Sequence, residues 1–533
     1  MKKILTLTLL LFVFTTVFGQ SKEEKKLINW YNKDLKSDKM FGVSTEKSYK
    51  ELLKNKVSRP VVVAVIDGGT DINHEDLKGN IWTNPDEIPG NGIDDDKNGY
   101  IDDIHGWNFI GNPKGENVKQ DNLEVTRLYR ELDAKYKDAD SNKVGNTDEF
   151  RLYKKVKEVY QKKLDESAGE SGMVQSGMEL KHADSLVKAY LNKPEYTMKD
   201  LKKLDKAPAD VAESAEKLMV WLMFGIKAED LTGYADQVNS ELNYHYNLDF
   251  DSRSIVGDDY KDNSNRIYGN NDVIGPDPGH GTFVAGEIGA VRNNRLGADG
   301  IAANVQLMVV RVVPDGDERD KDVANGIRYA IENGAKVINM SFGKAFSPQK
   351  KFVDDVLPLA DKYDVLLVHA AGNDSEDNDV VDNYPANKSA DGTILTSNWL
   401  TVGASAMSLN DDLVADFSNY GKKTVDVFAP GVDLWGLKPG NRYGTASGTS
   451  MASPVVAGIA AVIRSYYPQL SAKEVKDIIM QSAIKTDQMV QQPSDSYKKI
   501  KIPFNELSVS GGVANLYNAL LQAEQLAAGK KQN

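Results

Sequence analysis

No cysteine occurs in the 533 residues, which excludes disulfide staples, thiolate metal sites, a cysteine nucleophile and a lipid-modified cysteine. Histidine is nearly as scarce, with six in all, so each can be weighed singly for acid–base chemistry. Positive charge is in deficit: the net charge is −13, which argues against nucleic acid or an anionic membrane as the main partner and is compatible with cation binding. Long apolar runs are also missing. The longest, Ile4–Phe18, follows Lys2 and Lys3 and ends in the small-residue site Val17-Phe18-Gly19. That is too short for a membrane span and has the three parts of a secretory signal over residues 1–20. The mature protein is therefore expected to be exported and soluble, in the periplasm, on the surface or in the medium. An exported domain without disulfides often relies on bound metal.

What is present is enough for a large core: 41% of residues are hydrophobic and 27% charged. Residues 21–58 are polar with scattered apolar positions, and Ser44 ahead of Tyr49, Leu52 and Leu53 suggests a short capped helix. Val61–Ile66 is a continuous β-branched run, the mark of a parallel strand buried on both faces, and it ends in Asp67-Gly68-Gly69. A carboxylate at the C-terminal end of such a strand is where α/β sheets place function. After residue 248 the alternation resumes, with strands over Val305–Val313, Lys336–Met340, Val365–Ala370, Leu400–Ala404 and Val425–Ala429. Helices fall between and after them at His280–Arg292, Val323–Asn333, Phe352–Lys362 and Ala472–Ala483. This predicts an α/β fold with a mostly parallel sheet between two helical layers. Residues 59–113 and 248–507 form the two parts of that domain, and 508–533 a last amphipathic helix and tail. Between the two parts, 114–247 changes character. Tyrosine-rich stripes at helical spacing (Tyr129, Tyr136, Tyr153, Tyr160) and the pair Thr197/Asp200, a capping box, predict an inserted helical subdomain. We expect it to modulate access to a cleft rather than to do chemistry.

Asn91–Asp103 carries Asp94-x-Asp96-x-Asn98-Gly99, the first half of a calcium loop, with oxygen ligands at alternate positions and glycine at the sharp turn. Position twelve is His105, so this is not a full EF-hand. The expected ligands are Asp94, Asp96, Asn98 and Tyr100, with Asp102 or Asp103 closing the shell.

The chain is organised around Gly444–Pro454, where small residues crowd Ser450 and an apolar run, Val455–Ile463, follows at once. The run predicts a buried helix with Ser450 at its N-terminus, where free N–H groups favour developing negative charge. Pro454 is placed in the first turn, where a missing N–H costs nothing. A serine cap alone does not require Gly448 or so many small neighbours; a nucleophile at the mouth of a cleft does. His280, in Gly279-His280-Gly281-Thr282, has a helix start and flanking glycines that the other five histidines lack. Asp67, His280 and Ser450 then follow one of the known triad orders.

Val65-Ile66-Asp67-Gly68-Gly69, Gly279–Gly286 and Gly448–Pro454 together resemble the three signatures of the subtilisin-like serine proteases, in family order. The resemblance covers roughly residues 59–110 and 249–483. It implies a three-layer α/β/α domain and an endopeptidase acting on proteins or peptides. It places the oxyanion asparagine on Asn373, in Ala371-Gly372-Asn373, and a substrate-pairing strand on Ser341-Phe342-Gly343, with Ala371 and Gly372 also lining the bound peptide. It implies a cis bond at Tyr384-Pro385 and a calcium ligand at Asp76. Phe283 stands where many relatives have histidine, and Phe342 where leucine is common, so specificity does not carry over. Residues 21–58 leave no room for the family's usual inhibitory propeptide. Two rivals are weaker. A binding or chaperone-like module on a dead scaffold would have lost a triad or oxyanion residue, and an esterase would prefer Gly-x-Ser-x-Gly and another triad order.

Overall fold

Val61–Asp67 forms β1, buried on both faces as its unbroken β-branched run requires, as an interior strand of a nine-stranded sheet. The other strands that matter here are β2 (Gly106–Asn108), β3 (Val305–Arg311), β4 (Val337–Met340), β5 (Leu366–Ala370), β6 (Trp399–Ser405) and β7 (Val427–Pro430). Their order across the sheet is β7-β6-β5-β4-β1-β3-β2, all parallel. Gly512–Val513 extends the β7 edge in parallel, and Ile484–Lys485 pairs antiparallel beyond it. This computed structural model describes residues 24–139, 147–223, 228–494 and 500–530. The signal-like stretch 1–20 lies outside them. No helix among the described residues is long and apolar enough to cross a membrane.

From β1 the chain crosses to the edge strand β2, returns to β3 on the same side, and then passes to β4 on the other side of β1. The strand order reverses at β1, and an open parallel sheet leaves a crevice at the carboxyl ends of the strands at such a point. Two apolar layers cover the sheet. One contains the helices Gly279–Gly289, Thr449–Tyr466, Ala472–Ser482 and Leu516–Lys530; the other contains Asp320–Glu332 and the cluster Tyr100, Trp107, Phe109 and Tyr329. The three-layer α/β/α arrangement read from the sequence is the one observed.

Several local expectations are corrected. Phe352–Lys362 is two short helices, Lys350–Asp354 and Pro358–Tyr363, because Pro358 cannot donate to the preceding turn and starts a new helix instead. Ser44 stands before the helix Thr45–Ser48 but makes no capping bond; its hydroxyl is taken by Asp34 (2.9 Å). Residues 21–58 are more than a polar leader, since Trp30, Tyr31, Val43 and Leu53 are buried in the same core as β1. The hairpin β8 (Leu434–Lys438) and β9 (Arg442–Ala446) lies outside the main sheet and was not anticipated.

The insertion is helical as expected, running from Glu124–Tyr136 to Ala228–Ser240, with the Thr197/Asp200 capping box formed. Its tyrosines are core: Tyr129 stacks on Tyr160 with centroids 4.4 Å apart. It is bolted to the sheet domain by a buried ion pair from Lys344 to Glu124 (2.9 Å), and Asp320 holds the same ammonium from the sheet side (2.9 Å). At its far end Ser240 and His245 both bind Asp315 (2.7 and 3.1 Å).

Candidate active site

Asp67 is the last residue of β1 and is 2% exposed. His280 is the second residue of the helix Gly279–Gly289, and its Nδ1 lies 2.9 Å from both Asp67 carboxylate oxygens. That contact fixes the ring so that Nδ1 holds the proton and Nε2 faces outward with no hydrogen bond to any described residue. Gly281 is required by the approach: a Cβ there would meet the Gly69 carbonyl oxygen at 2.1 Å. Crowding around the ring disfavours the imidazolium, but the Asp67 carboxylate outweighs this and raises the His280 pKa above its ordinary value. The ring is still 44% exposed, so a bound molecule can reach it.

Ser450 is the second residue of the helix Thr449–Tyr466 and is half-buried. Its hydroxyl donates to the Ser341 carbonyl (3.0 Å), just beyond β4. Pro454 lies deeper in this helix than the sequence suggested. Its missing N–H would have bonded the Ser450 carbonyl, which instead accepts the Ser341 hydroxyl (2.8 Å). Ser341 is in turn held by Asn339 Nδ2 (2.9 Å), and Asn339 Oδ1 accepts the Ser453 hydroxyl (2.7 Å). A proline that looks like a helix defect thus frees a carbonyl through which β4 fixes the nucleophile's backbone.

Asn373 follows β5 and is exposed. Its Oδ1 accepts both the backbone N–H (2.8 Å) and the hydroxyl (3.0 Å) of Thr449. With the oxygen so engaged, the amide N–H groups are turned outward beside the Ser450 backbone. Gly448 turns into the helix at φ +156°, a backbone conformation that a residue with a side chain rarely adopts.

A cleft of about 390 Å³ opens beside these groups, lined by Asp67, His280, Val313, Asp315, Ser341 and Phe342 among others. Phe342 is half-buried, and its carbonyl accepts from His369 Nε2 (2.9 Å), whose pKa burial pushes down to about 4, so that imidazole stays neutral. Gly343 is exposed. The Ala371 carbonyl is occupied by Asn378 and Asn383 (2.8 and 2.9 Å), while Gly372 turns at φ +107° to bring Asn373 round. The Tyr384-Pro385 bond is cis, and Tyr384 pairs through its backbone with Lys344.

Arg311 was not anticipated from the sequence. It ends β3 opposite Asp67, is 1% exposed, and donates to the Gly68 carbonyl (2.7 Å), to Asn108 Oδ1 (3.0 Å) and to the Val118 carbonyl. It ties the aspartate turn to the edge strand and to the entrance of the insertion. Only a pairing partner almost 250 positions away gives it this role, so no local signal could have revealed it.

In the acidic loop the structure brings together Glu87, Asp96 and Asp103, whose oxygens lie within 4.8 Å of one another. Glu87 Oε1 accepts the Asp95 and Asp96 N–H groups, but its buried Oε2 has no hydrogen-bond partner. Asp103 is fully buried, and despite hydrogen bonds from Tyr329, Asn84 and Asn98, burial raises its pKa to about 6. Three converging carboxylates with an orphaned oxygen fit a hard divalent cation. Asp94 and Asn98 close the loop through bonds to the Asn98, Gly99 and Tyr100 N–H groups. Asp102 turns away to the N–H groups of Gly90, Asn91 and Gly92. Asp76 lies outside this group, buried and bonded to Asn294 (2.5 Å) and the Ala298 N–H (3.2 Å). Glu87 escaped notice because it precedes the patterned stretch by seven residues.

The sequence model of the subtilase family matches residues 58–499. The chain is 36% identical over 225 residues to a thermostable alkaline protease of Halalkalibacterium halodurans, covering 41% of this chain and 57% of that one. It is 36% identical over 223 residues to a cell wall-associated protease of Bacillus subtilis (42% and 23%). It is 37% identical over 209 residues to subtilisin DY of Bacillus licheniformis (38% and 70%). The chain therefore spans about half or less of the length of the first two relatives. A solved structure of the protease domain of PatA aligns at 28% identity over 46% of this chain and 81% of that one, with a TM-score of 0.37.

Proposed function

Because the chain belongs to the subtilase family, we propose that it is an exported serine endopeptidase that cleaves peptide bonds through Asp67, His280 and Ser450. The observation that carries this reading is the Asp67–His280 pair, its histidine on a helix packed against the one that begins at Thr449-Ser450, with Asn373 anchored through its Oδ1 to Thr449. The Ser450 hydroxyl, released from the Ser341 carbonyl by rotation about one torsion, gives its proton to His280 Nε2 as Oγ attacks the scissile carbonyl. Asp67 holds the tautomer and stabilises the imidazolium. The oxyanion of the tetrahedral intermediate receives hydrogen bonds from Asn373 Nδ2 and the Ser450 N–H, at the positive end of a long helix. His280 then protonates the leaving amine, leaving an acyl ester on Ser450. Water then adds to the ester carbonyl, giving a proton to His280, which returns it to the departing Ser450 oxygen, releasing the acid and restoring the serine.

Peptide is expected to lie extended along Ser341-Phe342-Gly343, its acyl-side residues in the cleft beside Val313 and Asp315. Export rests on the basic start, the apolar run and the cleavage site of residues 1–20. A calcium ion would be held by Glu87, Asp96 and Asp103, with Asp94 and Asn98 shaping the loop. When bound it neutralises the clustered carboxylates and takes no part in the chemistry.

The test is Asn373→Leu, assayed with a peptide ester and with an unfolded protein substrate. Loss of the amide donor should lower kcat by roughly 10²–10³, the scale found for this donor in a subtilisin, with little change in KM. Equal kcat in parent and variant would overturn the oxyanion assignment.

A further inference from the structure

The hairpin β8–β9 runs straight into Gly448 and Ser450, and it is pressed against the histidine helix: a Cβ on Gly436 would meet the Phe283 ring at 2.7 Å. Lys438, the last residue of β8, is half-buried, with its ammonium 5.3 Å from the Phe283 ring centroid. Phe283 is one helical turn beyond His280, on the same side of that helix. The ammonium is near enough for its charge to act on the His280 ring. Yet that ammonium makes no hydrogen bond or ion pair with any described residue.

Its surroundings make this unpaired charge costly. Burial and the Arg442 cation, which stands directly opposite in the hairpin register, both lower the Lys438 pKa. The acids around it are engaged elsewhere. Asp71 accepts the Gly440 N–H (2.8 Å), Glu75 receives the Tyr443 hydroxyl (3.4 Å), and Asp277 accepts the Gly279 N–H (3.3 Å). Lys438 does not line the cleft beside Asp67 and His280, where the acyl side of the peptide is expected to lie, but is tied through the hairpin to the strand that leads into Gly448 and Ser450. It therefore flanks His280 where the leaving amine, and the residue bearing it, must sit.

We propose that Lys438 makes the leaving-group side of the site selective for an acidic residue, Asp or Glu, immediately after the scissile bond. A carboxylate there meets a cation already desolvated on one face by Phe283 and relieves its repulsion with Arg442. The inference rests on the peptidase reading above, and it concerns only which amine leaves.

The reverse reaction isolates that side. An acyl-enzyme is formed from one fixed peptide ester and intercepted by an amino acid amide: the amine nitrogen attacks the Ser450 ester carbonyl and gives its proton to His280, and the Ser450 oxygen leaves with that proton. Aspartyl amide is expected to intercept the acyl-enzyme about tenfold better than asparaginyl amide at low salt, with the ratio shrinking as salt is raised. Lys438→Met keeps the stem packed on Phe283 and should bring the ratio close to one, and Lys438→Glu should bring it below one. Equal interception by both amides in the parent, or a preference that survives Lys438→Met, would overturn the proposal. Failure to form any acyl-enzyme would instead overturn the peptidase reading, and this inference with it.

Discussion

Replacing His280 by alanine is expected to lower kcat/KM for peptide hydrolysis by roughly 10⁴–10⁶ while leaving the fold in place, the scale on which a member of a catalytic triad is lost. The ring is partly exposed and carries no core packing, so the loss falls on chemistry and not on stability. The same geometry fixes the pH dependence. His280 can accept the serine proton only when neutral, and Asp67 raises its pKa above the ordinary imidazole value. Activity should therefore appear as pH rises through a midpoint above about 6.5. Stability runs the other way. A group whose pKa is raised on folding stabilises fully below its unfolded pKa, and that contribution is lost as pH rises through the folded value. The Asp67–His280 pair therefore gives up its stabilisation over the range in which the enzyme switches on. A kcat/KM profile with its acid limb well below pH 6 would contradict the assigned role of Asp67.

Removing divalent cation is expected to have the second large effect. Glu87, Asp96 and Asp103 converge within 4.8 Å, and Glu87 Oε2 has no partner, so without a cation the loop carries unrelieved repulsion. A ligand that binds only the native state adds RT ln(1 + [L]/Kd), about 2.7 kcal/mol at a hundredfold excess over Kd. Thorough chelation should lower Tm by several degrees, and added calcium should restore it. Glu87→Gln keeps the Oε1 contacts to the Asp95 and Asp96 N–H groups but removes one charge. It should raise the Tm of the chelated protein and lower that of the calcium-loaded protein, so that the two nearly coincide. A parent Tm indifferent to chelation, or a Glu87→Gln protein that responds as the parent does, would exclude the site. Triad chemistry is not routed through this loop, so the folded chelated enzyme should retain its kcat at low temperature.

The two effects differ in how far the sequence alone could foresee them. Asp67, His280, Ser450 and Asn373 each sit where a local pattern changes, at the end of a β-branched run or at a glycine-flanked helix start. Short-range sterics impose such patterns, so they can be read in one dimension. Pro454 shows where that reading stops. Helix preference places proline in a first turn, but the Ser341 hydroxyl from β4 satisfies the carbonyl that a deeper proline leaves open. Arg311, Lys344 and Glu87 owe their positions to partners brought close only by the finished sheet and loop packing. The buried Trp30 and Tyr31 make the same point. An apparently polar leader contributes to the main core because Trp30, Tyr31, Val43 and Leu53 face inward.

The central claim is that Ser450 is the nucleophile of this site, and covalent labelling tests it most directly. The mature protein, treated with an organophosphorus probe and digested, should yield a single modified peptide bearing the adduct on Ser450. Labelling should follow the same pH midpoint as hydrolysis and vanish in a folded Ser450→Ala variant together with peptide cleavage. An adduct on another residue, or labelling and cleavage that persist in Ser450→Ala, would contradict the account.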